Sequence, residues 1–230
     1  MTGDAVATAI AHEIRQPLTS MITSADAGYR FLDRATPNLN RAKEAFKQIA
    51  ADGHRAGTLV GSTRAIFKDA PRTRAVLDVN ELIRDALALE SFDLQKYQIR
   101  VEVEPNGQLP EVLGDRVQLQ QVLINLILNA IDAMASGDGP RALCIKSEAH
   151  NDGGVVISVA DTGIGINSED AARIFNPLFT TKSDGMGLGL PICRAIVEAH
   201  DGRLWATANT PRGAVFQFSL RAHDSEIARA

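Results

Sequence analysis

Apolar residues in the first third of the chain recur at helical spacing. Val6, Ile10, Ile14, Leu18, Met21, Ile22, Ala25, Tyr29 and Leu32 follow one another at steps of three and four, which predicts one long helix. The segment Arg34-Ala-Thr-Pro-Asn-Leu-Asn40 breaks this period with turn formers. A second helix follows, with Ala42, Ala45, Phe46, Ile49, Ala56, Leu59, Val60, Thr63, Ile66 and Phe67 on one side. Two helices cannot bury two apolar stripes between themselves, whereas a four-helix bundle built from two chains can. The expectation is a homodimer through residues ~4–69. Gly53, Gly57 and Gly61 weaken the second helix by roughly 1 kcal/mol each relative to Ala.

Asp69-Ala-Pro-Arg-Thr-Arg74 interrupts the periodicity and reads as a linker. Beyond it helices and strands mix. Val79–Phe92 reads as a helix capped near Asp78 or Asn80, Arg116–Ala135 as a strongly apolar helix, and Leu190–His200 as a third. Strands are expected at Gln98–Glu104, Ala142–Ala149, Val155–Ala160, Arg203–Ala208 and Ala214–Leu220. The fold class is therefore α plus α/β: a helical hairpin, then a sandwich of one mixed sheet and one helical layer. The expected domains are 1–70, a linker 71–77, 78–222 and a tail 223–230.

Composition narrows the function. With 45% hydrophobic and 23% charged residues the chain can bury a core, and a net charge of −4 gives no basic footprint for nucleic acid. Cys144 and Cys193 are too few for a disulfide framework and read as packed thiols in a reducing compartment. No apolar run is read as reaching the ~20 residues of a membrane span. No signal peptide is visible at Met1–Ile14. A cytoplasmic chain without membrane contact is expected.

Three segments carry candidate chemistry. On the apolar helix Arg116–Ala135, Gln118, Gln121, Asn125, Asn129 and Asp132 fall in one narrow stripe. Backbone neighbours can satisfy one such amide, but a whole polar stripe on a buried helix points to a ligand. Asp161-Thr-Gly-Ile-Gly-Ile166 leaves a strand, placing a carboxylate that can accept from an amine beside Gly163 and Gly165, which can take positive φ. Gly185-Met-Gly-Leu-Gly-Leu-Pro-Ile192 opens a helix, an arrangement suited to holding phosphate on free N–H groups. It is not a Walker loop, because no Gly-Lys-Ser/Thr follows.

In this order, and with Phe175-Asn-Pro-Leu-Phe-Thr-Thr-Lys182 between the last two, these segments resemble the N, G1, F and G2 boxes of histidine kinases. The likeness covers about residues 78–220 and implies the Bergerat (GHKL) ATP-binding fold. It implies that Asn129 ligates Mg²⁺, with Asp132 on the same face, and that Asp161 reads the adenine of ATP beside Gly163 and Gly165. Gly185, Gly187, Leu188 and Gly189 would border the phosphates. Residues ~176–188 would form a lid anchored by Phe175 and Phe179, with Thr181 and Lys182 approaching the phosphates. ATPases sharing the fold carry a water-activating glutamate four residues before the metal-binding Asn. Here that position is Asn125, and an amide is no base near neutral pH. The site should therefore spare ATP for a better nucleophile than water.

The nucleophile is sought upstream. His12 stands two residues past Ile10, about 200° around the helix, so it faces away from the apolar stripe. The string His12-Glu13-Ile14-Arg15-Gln16-Pro17-Leu18 resembles the H box of dimerising histidine kinases, and the likeness extends over residues ~4–69. It implies that His12 accepts the γ-phosphoryl group at Nε2 while Glu13 holds the other ring N–H. A neutral imidazole is a competent nucleophile at physiological pH. Pro17 removes the helical partner of the Glu13 carbonyl, which predicts a kink near His12. Many members carry Thr or Asn four residues after the His. Gln16 departs from that pattern and belongs with a Gln-Pro subgroup, so the resemblance carries kinase activity here but not phosphatase activity.

The resemblance also implies transfer to an aspartate of a response regulator receiver domain. His54, His150, His200 and His223 lack ligand spacing and read as structural or surface residues. An ATPase or serine kinase of the same fold and a nucleotide-binding scaffold are the competing readings. Asn125 and the upstream H box argue against the first, and the complete set of motifs against the second. The 11 residues ahead of His12 are too few for a sensor domain, so a fragment or a separately controlled protein is expected.

Overall fold

The computed structural model describes residues 3–66, 74–137, 139–150, 153–167, 170–171, 173–181 and 187–223, without the side chains of 3–14, 54–55 and 58–66. The chain divides into two units, Met1–Lys68 and Asp69–Ala230.

The first unit is a hairpin of α1 (Gly3–Leu32) and α2 (Leu39–Ile66). α1 runs through Pro17 without interruption. The turn closes where the Asn38 N–H donates to the Phe31 carbonyl at 2.9 Å. Asn38 Oδ1 then caps α2 by accepting from the Arg41 N–H at 3.0 Å. Arg34 and Arg41 both lie over the Phe31 ring, 5.1 and 5.9 Å from its centroid. Small residues let the helices approach: a Cβ on Gly28 would stand 3.3 Å from that of Ala45. Asp52 is buried between the helices, where its Oδ2 accepts from Ser20 Oγ at 2.6 Å and Gln48 Nε2 at 3.2 Å. The apolar stripe of α1 faces the other way. Ile22 is 66% exposed and Tyr29 67%, with Leu18 and Leu32 exposed beside them.

The second unit is a two-layer sandwich. Its elements are β1 (Ala75–Leu77), α3 (Val79–Leu89), α4 (Ser91–Lys96), β2 (Arg100–Glu104), β3 (Val112–Gly114), α5 (Arg116–Ala135), β4 (Ala142–Ala149), β5 (Val155–Asp161), α6 (Gly189–Ala199), β6 (Leu204–Ala208) and β7 (Ala214–Leu220). The main sheet has the order β2-β4-β5-β7-β6, with only β2 and β4 parallel. β1 and β3 form a separate antiparallel pair. Alternate residues Leu143, Ile145, Ile157, Val159, Phe216 and Phe218 point to one face and are buried. α3, α5 and α6 form the layer of buried helix faces: Leu82 and Ile83, then Leu123, Leu126 and Ile127, then Ile196 and Val197. Each such side chain contributes about 1.5–3 kcal/mol by leaving water.

Three local readings need correction. The helix expected over 79–92 ends at Leu89, because Glu90 sits at φ −93°, ψ 6° and α4 starts afresh. Residues 75–77, read as linker, form β1. α5 is long and apolar enough to cross a membrane by length and composition, contrary to the reading of the apolar runs, but it packs as the central core helix.

Candidate functional site

α5 starts at a well-fixed point. Asp115 Oδ1 accepts from the N–H groups of Val117 at 3.0 Å and Gln118 at 3.2 Å, a side-chain N-cap. From there the polar stripe passes from inside to outside. Gln121 is buried, Asn125 and Asn129 are half-buried, and Asp132 is exposed. Among the described residues, Asn125 Nδ2 is buried and makes no hydrogen bond of acceptable geometry. It lies near the buried Cys193 thiol, whose pKa burial pushes up to about 12, with Asn125 and the Cys193 backbone N–H acting the other way. Cys144 is shifted up as well, by burial and then by Glu104 and Glu102. Neither cysteine is a ready nucleophile; Cys193 is a packed thiol, as expected, whereas Cys144 is only half-buried.

Two loops flank this stripe. The first follows β5. Asp161 is 2% exposed, and its Oδ1 accepts from the Gly163 N–H at 2.7 Å and, more weakly, the Ala214 N–H at 3.4 Å. Burial raises its pKa, and these two N–H groups oppose the rise. The loop is pressed onto α5: a Cβ on Gly163 would meet the Ala133 carbonyl carbon at 2.6 Å, and the Ile164 N–H donates to the Ala133 carbonyl at 3.3 Å. Gly165 has φ +82°, which suits glycine. Thr162 secures the other flank by donating to the Pro140 carbonyl at 2.6 Å and accepting from the Ala142 N–H at 2.9 Å.

The second loop leads into α6. Phe175 is buried, and Phe179 carries the Arg173 guanidinium 4.7 Å from its ring centroid. Leu178 at φ +65° and Gly187 at φ +64° are tied by a hydrogen bond from the Leu178 N–H to the Gly187 carbonyl at 3.0 Å. A Cβ on Gly187 would collide with the Phe179 carbonyl. Thr181 is exposed, while Lys182 and Gly185 lie outside the described residues. Leu188 is buried at the N-cap of α6, and no side chain among the described residues caps that terminus. Among those residues a Cβ on Gly189 would meet nothing within 4 Å, so open space adjoins uncapped N–H groups. Cys193, one turn on, packs against α5 beside the Val122 carbonyl.

The fold thus brings the Asn125–Asp132 stripe, Asp161 with its glycines, and the start of α6 around one helix. An amine acceptor, amide oxygens and uncapped helical N–H groups fit a purine nucleotide carrying a divalent cation. The sequence reading missed the turn between β6 and β7. There Asn209 Nδ2 donates to the Asp161 carbonyl at 2.8 Å, and Gly213 at φ +112° packs against that same carbonyl. The Gly213 spacing from β7 was the only available signal.

In the hairpin unit, the backbone of His12 and Glu13 is helical, and their side chains lie outside the described residues. An open groove of about 550 Å³ on α1 begins one turn later, lined by Arg15, Gln16, Thr19, Ser20, Thr23 and Ser24. Gln16 shares the helix face of His12 by its four-residue step.

Comparison with known proteins agrees with both halves. Residues 4–69 match the family model of the His Kinase A (phospho-acceptor) domain. Residues 114–224 match that of the histidine kinase-, DNA gyrase B- and HSP90-like ATPases. Sensor histidine kinase TmoS of Ectopseudomonas mendocina is 38% identical over 214 residues, 92% of this chain and 22% of TmoS. The solved catalytic domain of histidine kinase ThkA is 38% identical with a TM-score of 0.58, covering 66% of this chain and 97% of that domain. ThkA solved in complex with the response regulator TrrA is 31% identical with a TM-score of 0.62, covering 96% of this chain and 62% of that one. The chain spans less than half the length of the curated relatives it matches. With a phospho-acceptor domain and an ATPase-type catalytic domain in that order, the chain belongs to the histidine kinase family.

Proposed function

We propose that this chain is the kinase core of a sensor protein, binding Mg-ATP and phosphorylating itself on His12. The observation that carries the reading is the junction of Asp161 with α5. Gly163 and Ala133 hold an amine-accepting carboxylate against a helix that offers Asn129 to a metal but, at Asn125, no base for water. Asp161 accepts from the adenine amine. Asn129 holds Mg²⁺ through its amide oxygen, with Asp132 beside it, and Gly187, Leu188 and Gly189 receive the phosphates. Phe175 and Phe179 root the segment that carries Thr181, Lys182 and Gly185. Bound Mg²⁺ supplies charge neutralisation on the transferring group.

His12 Nε2 attacks the γ-phosphorus, the bond to the bridging oxygen breaks, and ADP leaves. Glu13 holds Nδ1–H and offsets positive charge on the ring. Asn125 cannot deprotonate water, which preserves the nucleotide for His12. An aspartate of a response regulator receiver domain then takes the phosphoryl group, as the ThkA–TrrA complex suggests by analogy. The exposed stripe of Leu18, Ile22, Tyr29 and Leu32 is covered by a second copy of the hairpin. Dependence on ATP places the core in the cytoplasm.

The test is incubation with Mg²⁺ and γ-labelled ATP, comparing the wild type with His12→Ala. Label that is acid-labile, alkali-stable and absent from the variant is expected. Tight ATP binding with no label on the wild type would refute the kinase reading.

A further inference from the structure

The turn between β6 and β7 grips Asp161 from a direction the nucleotide reading does not use. β5 and β7 pair as far as Ala160 and Val215. Asp161 is one residue further, and the chain on the β7 side bends away at Gly213 with φ +112°. The Asp161 carbonyl has therefore outrun the backbone ladder on that side. Asn209 Nδ2 takes the vacant donor place at 2.8 Å.

Asn209 is itself fixed twice over. Its N–H donates to the Gly213 carbonyl at 2.9 Å, and its Oδ1 accepts from the Thr210 N–H at 2.9 Å. With the oxygen committed to Thr210, the amide nitrogen is the atom that must face Asp161. The same turn supplies the Ala214 N–H to Asp161 Oδ1 at 3.4 Å. It also supports the far end of the loop, where a Cβ on Gly165 would stand 3.0 Å from the Gly213 carbonyl.

We propose that Asn209 is a positioning residue: by holding the peptide at Asp161 it aims the carboxylate, and so sets the preference for a 6-aminopurine over a 6-oxopurine nucleotide. The inference rests on the adenine-reading role of Asp161 proposed above. A held carboxylate gains a hydrogen bond from a 6-amino group and meets a 6-oxo group with lone pairs opposed. A carboxylate free to swing loses both the gain and the penalty. Both polar atoms of the Asn209 side chain are committed to backbone groups, so its effect is exerted through Asp161.

The test measures dissociation constants of Mg-ATP and Mg-GTP by calorimetry on the full chain, for the wild type, Asn209→Ala, Asn209→Asp and Asp161→Asn. Asn209→Asp keeps the shape and the acceptor for Thr210 and puts an acceptor in place of the donor, so it carries the test if Asn209→Ala unfolds. Its added charge weakens both triphosphates alike and leaves their ratio untouched. Both Asn209 variants should lower the ATP-to-GTP preference about tenfold, the worth of one such hydrogen bond, Asn209→Ala by weakening ATP without weakening GTP and Asn209→Asp on top of a loss common to both nucleotides. Adding Asn209→Ala to Asp161→Asn should lower the ATP-to-GTP preference no further. An ATP-to-GTP preference unchanged from the wild type in the folded Asn209 variants would overturn the role of Asn209. If Asp161→Asn itself leaves the preference intact, the adenine reading fails and this inference falls with it. If Asp161→Asn abolishes the preference and the Asn209 variants keep it, only the role of Asn209 is wrong.

Discussion

The Asp115 N–H donates to His200 Nε2 at 3.0 Å, joining the start of α5 to the end of α6. His200 Nδ1 lies 2.8 Å from the Ile196 carbonyl, which can only accept, so the ring is the neutral Nδ1–H form. Asp115 already caps α5 with its side chain. His200 completes the arrangement by satisfying the cap residue's own N–H, a task that Glu or Gln performs locally in a capping box.

His200→Ala would leave the Asp115 N–H unpaired and open a cavity beneath Gly114 and Leu119. A loss of about 3 kcal/mol is expected, lowering Tm by roughly 6–12 °C. Nucleotide affinity of the folded variant should be close to normal, because His200 supports the frame rather than the ligand. An unchanged melting curve would show that the link carries no stability.

Asp161 sets nucleotide binding against stability. Its folded pKa lies above the unfolded value, chiefly through burial, so the folded state holds the proton more tightly. The contribution is therefore most favourable below the ordinary carboxylate range, declines as pH rises through the raised pKa, and is flat above it. Asp161→Asn keeps an acceptor for the Gly163 and Ala214 N–H groups and removes this slope. At neutral pH the nucleotide-free variant should melt at or above the wild type, while ATP binding weakens by about 2 kcal/mol, roughly 30-fold. Wild-type ATP affinity should fall as pH drops through the raised pKa. A variant that melts lower and binds normally would contradict both halves.

Much of this was legible beforehand because the relevant signals are local. Periodicity gave the hairpin and α5, and the stripe from Gln121 to Asp132 needed only helical geometry. What escaped depends on contacts distant in sequence. β1 and β3 are three residues each and exist by pairing with each other. Glu90 ends α3 in a segment that propensity alone continues. Asp52 looks like a solvated helix charge until Ser20, 32 residues away, is found against it. Asn209 reads as a turn residue, and only the end of the β5–β7 ladder gives its side chain a second purpose.

Glycines at the site should separate into frame and ligand positions. A Cβ on Gly163 would stand 2.6–2.7 Å from Ala133 atoms, so Gly163→Ala must part the Asp161 loop from α5. A loss of about 2–3 kcal/mol is expected, with weakened ATP binding. Gly189 has open space around it, and Ala is the better helix former, so Gly189→Ala should preserve or slightly raise stability. Its loss should appear in ATP affinity alone. Equal melting temperatures for the two variants would contradict this division.

The exposed stripe on α1 predicts how the hairpin assembles. Ile22 and Tyr29 are two-thirds exposed in the single hairpin, too large an apolar surface to leave in water along with Leu18 and Leu32. Ile22→Glu would place a charge inside the expected four-helix interface, at a cost of several kcal/mol per dimer. Light scattering after size exclusion should find a wild-type dimer and a monomeric variant at equal concentration. A wild-type monomer would mean that something other than a second copy covers the stripe.

Asn125 separates activity from stability most sharply. Its buried Nδ2 has no hydrogen-bond partner of acceptable geometry among the described residues, so the amide already bears a desolvation cost that an apolar side chain would not. Asn125→Leu keeps the branching and the number of side-chain heavy atoms and removes that cost, and its melting temperature should equal or exceed that of the wild type. The neighbouring Cys193 thiol loses a group favouring its ionised form and should resist alkylation at least as well as before. Label on His12 should nonetheless fall tenfold or more, about 1.4 kcal/mol in the transition state, if the amide also faces the nucleotide, as its place in the polar stripe of α5 implies. Normal labelling of a stabilised variant would make Asn125 a packing residue.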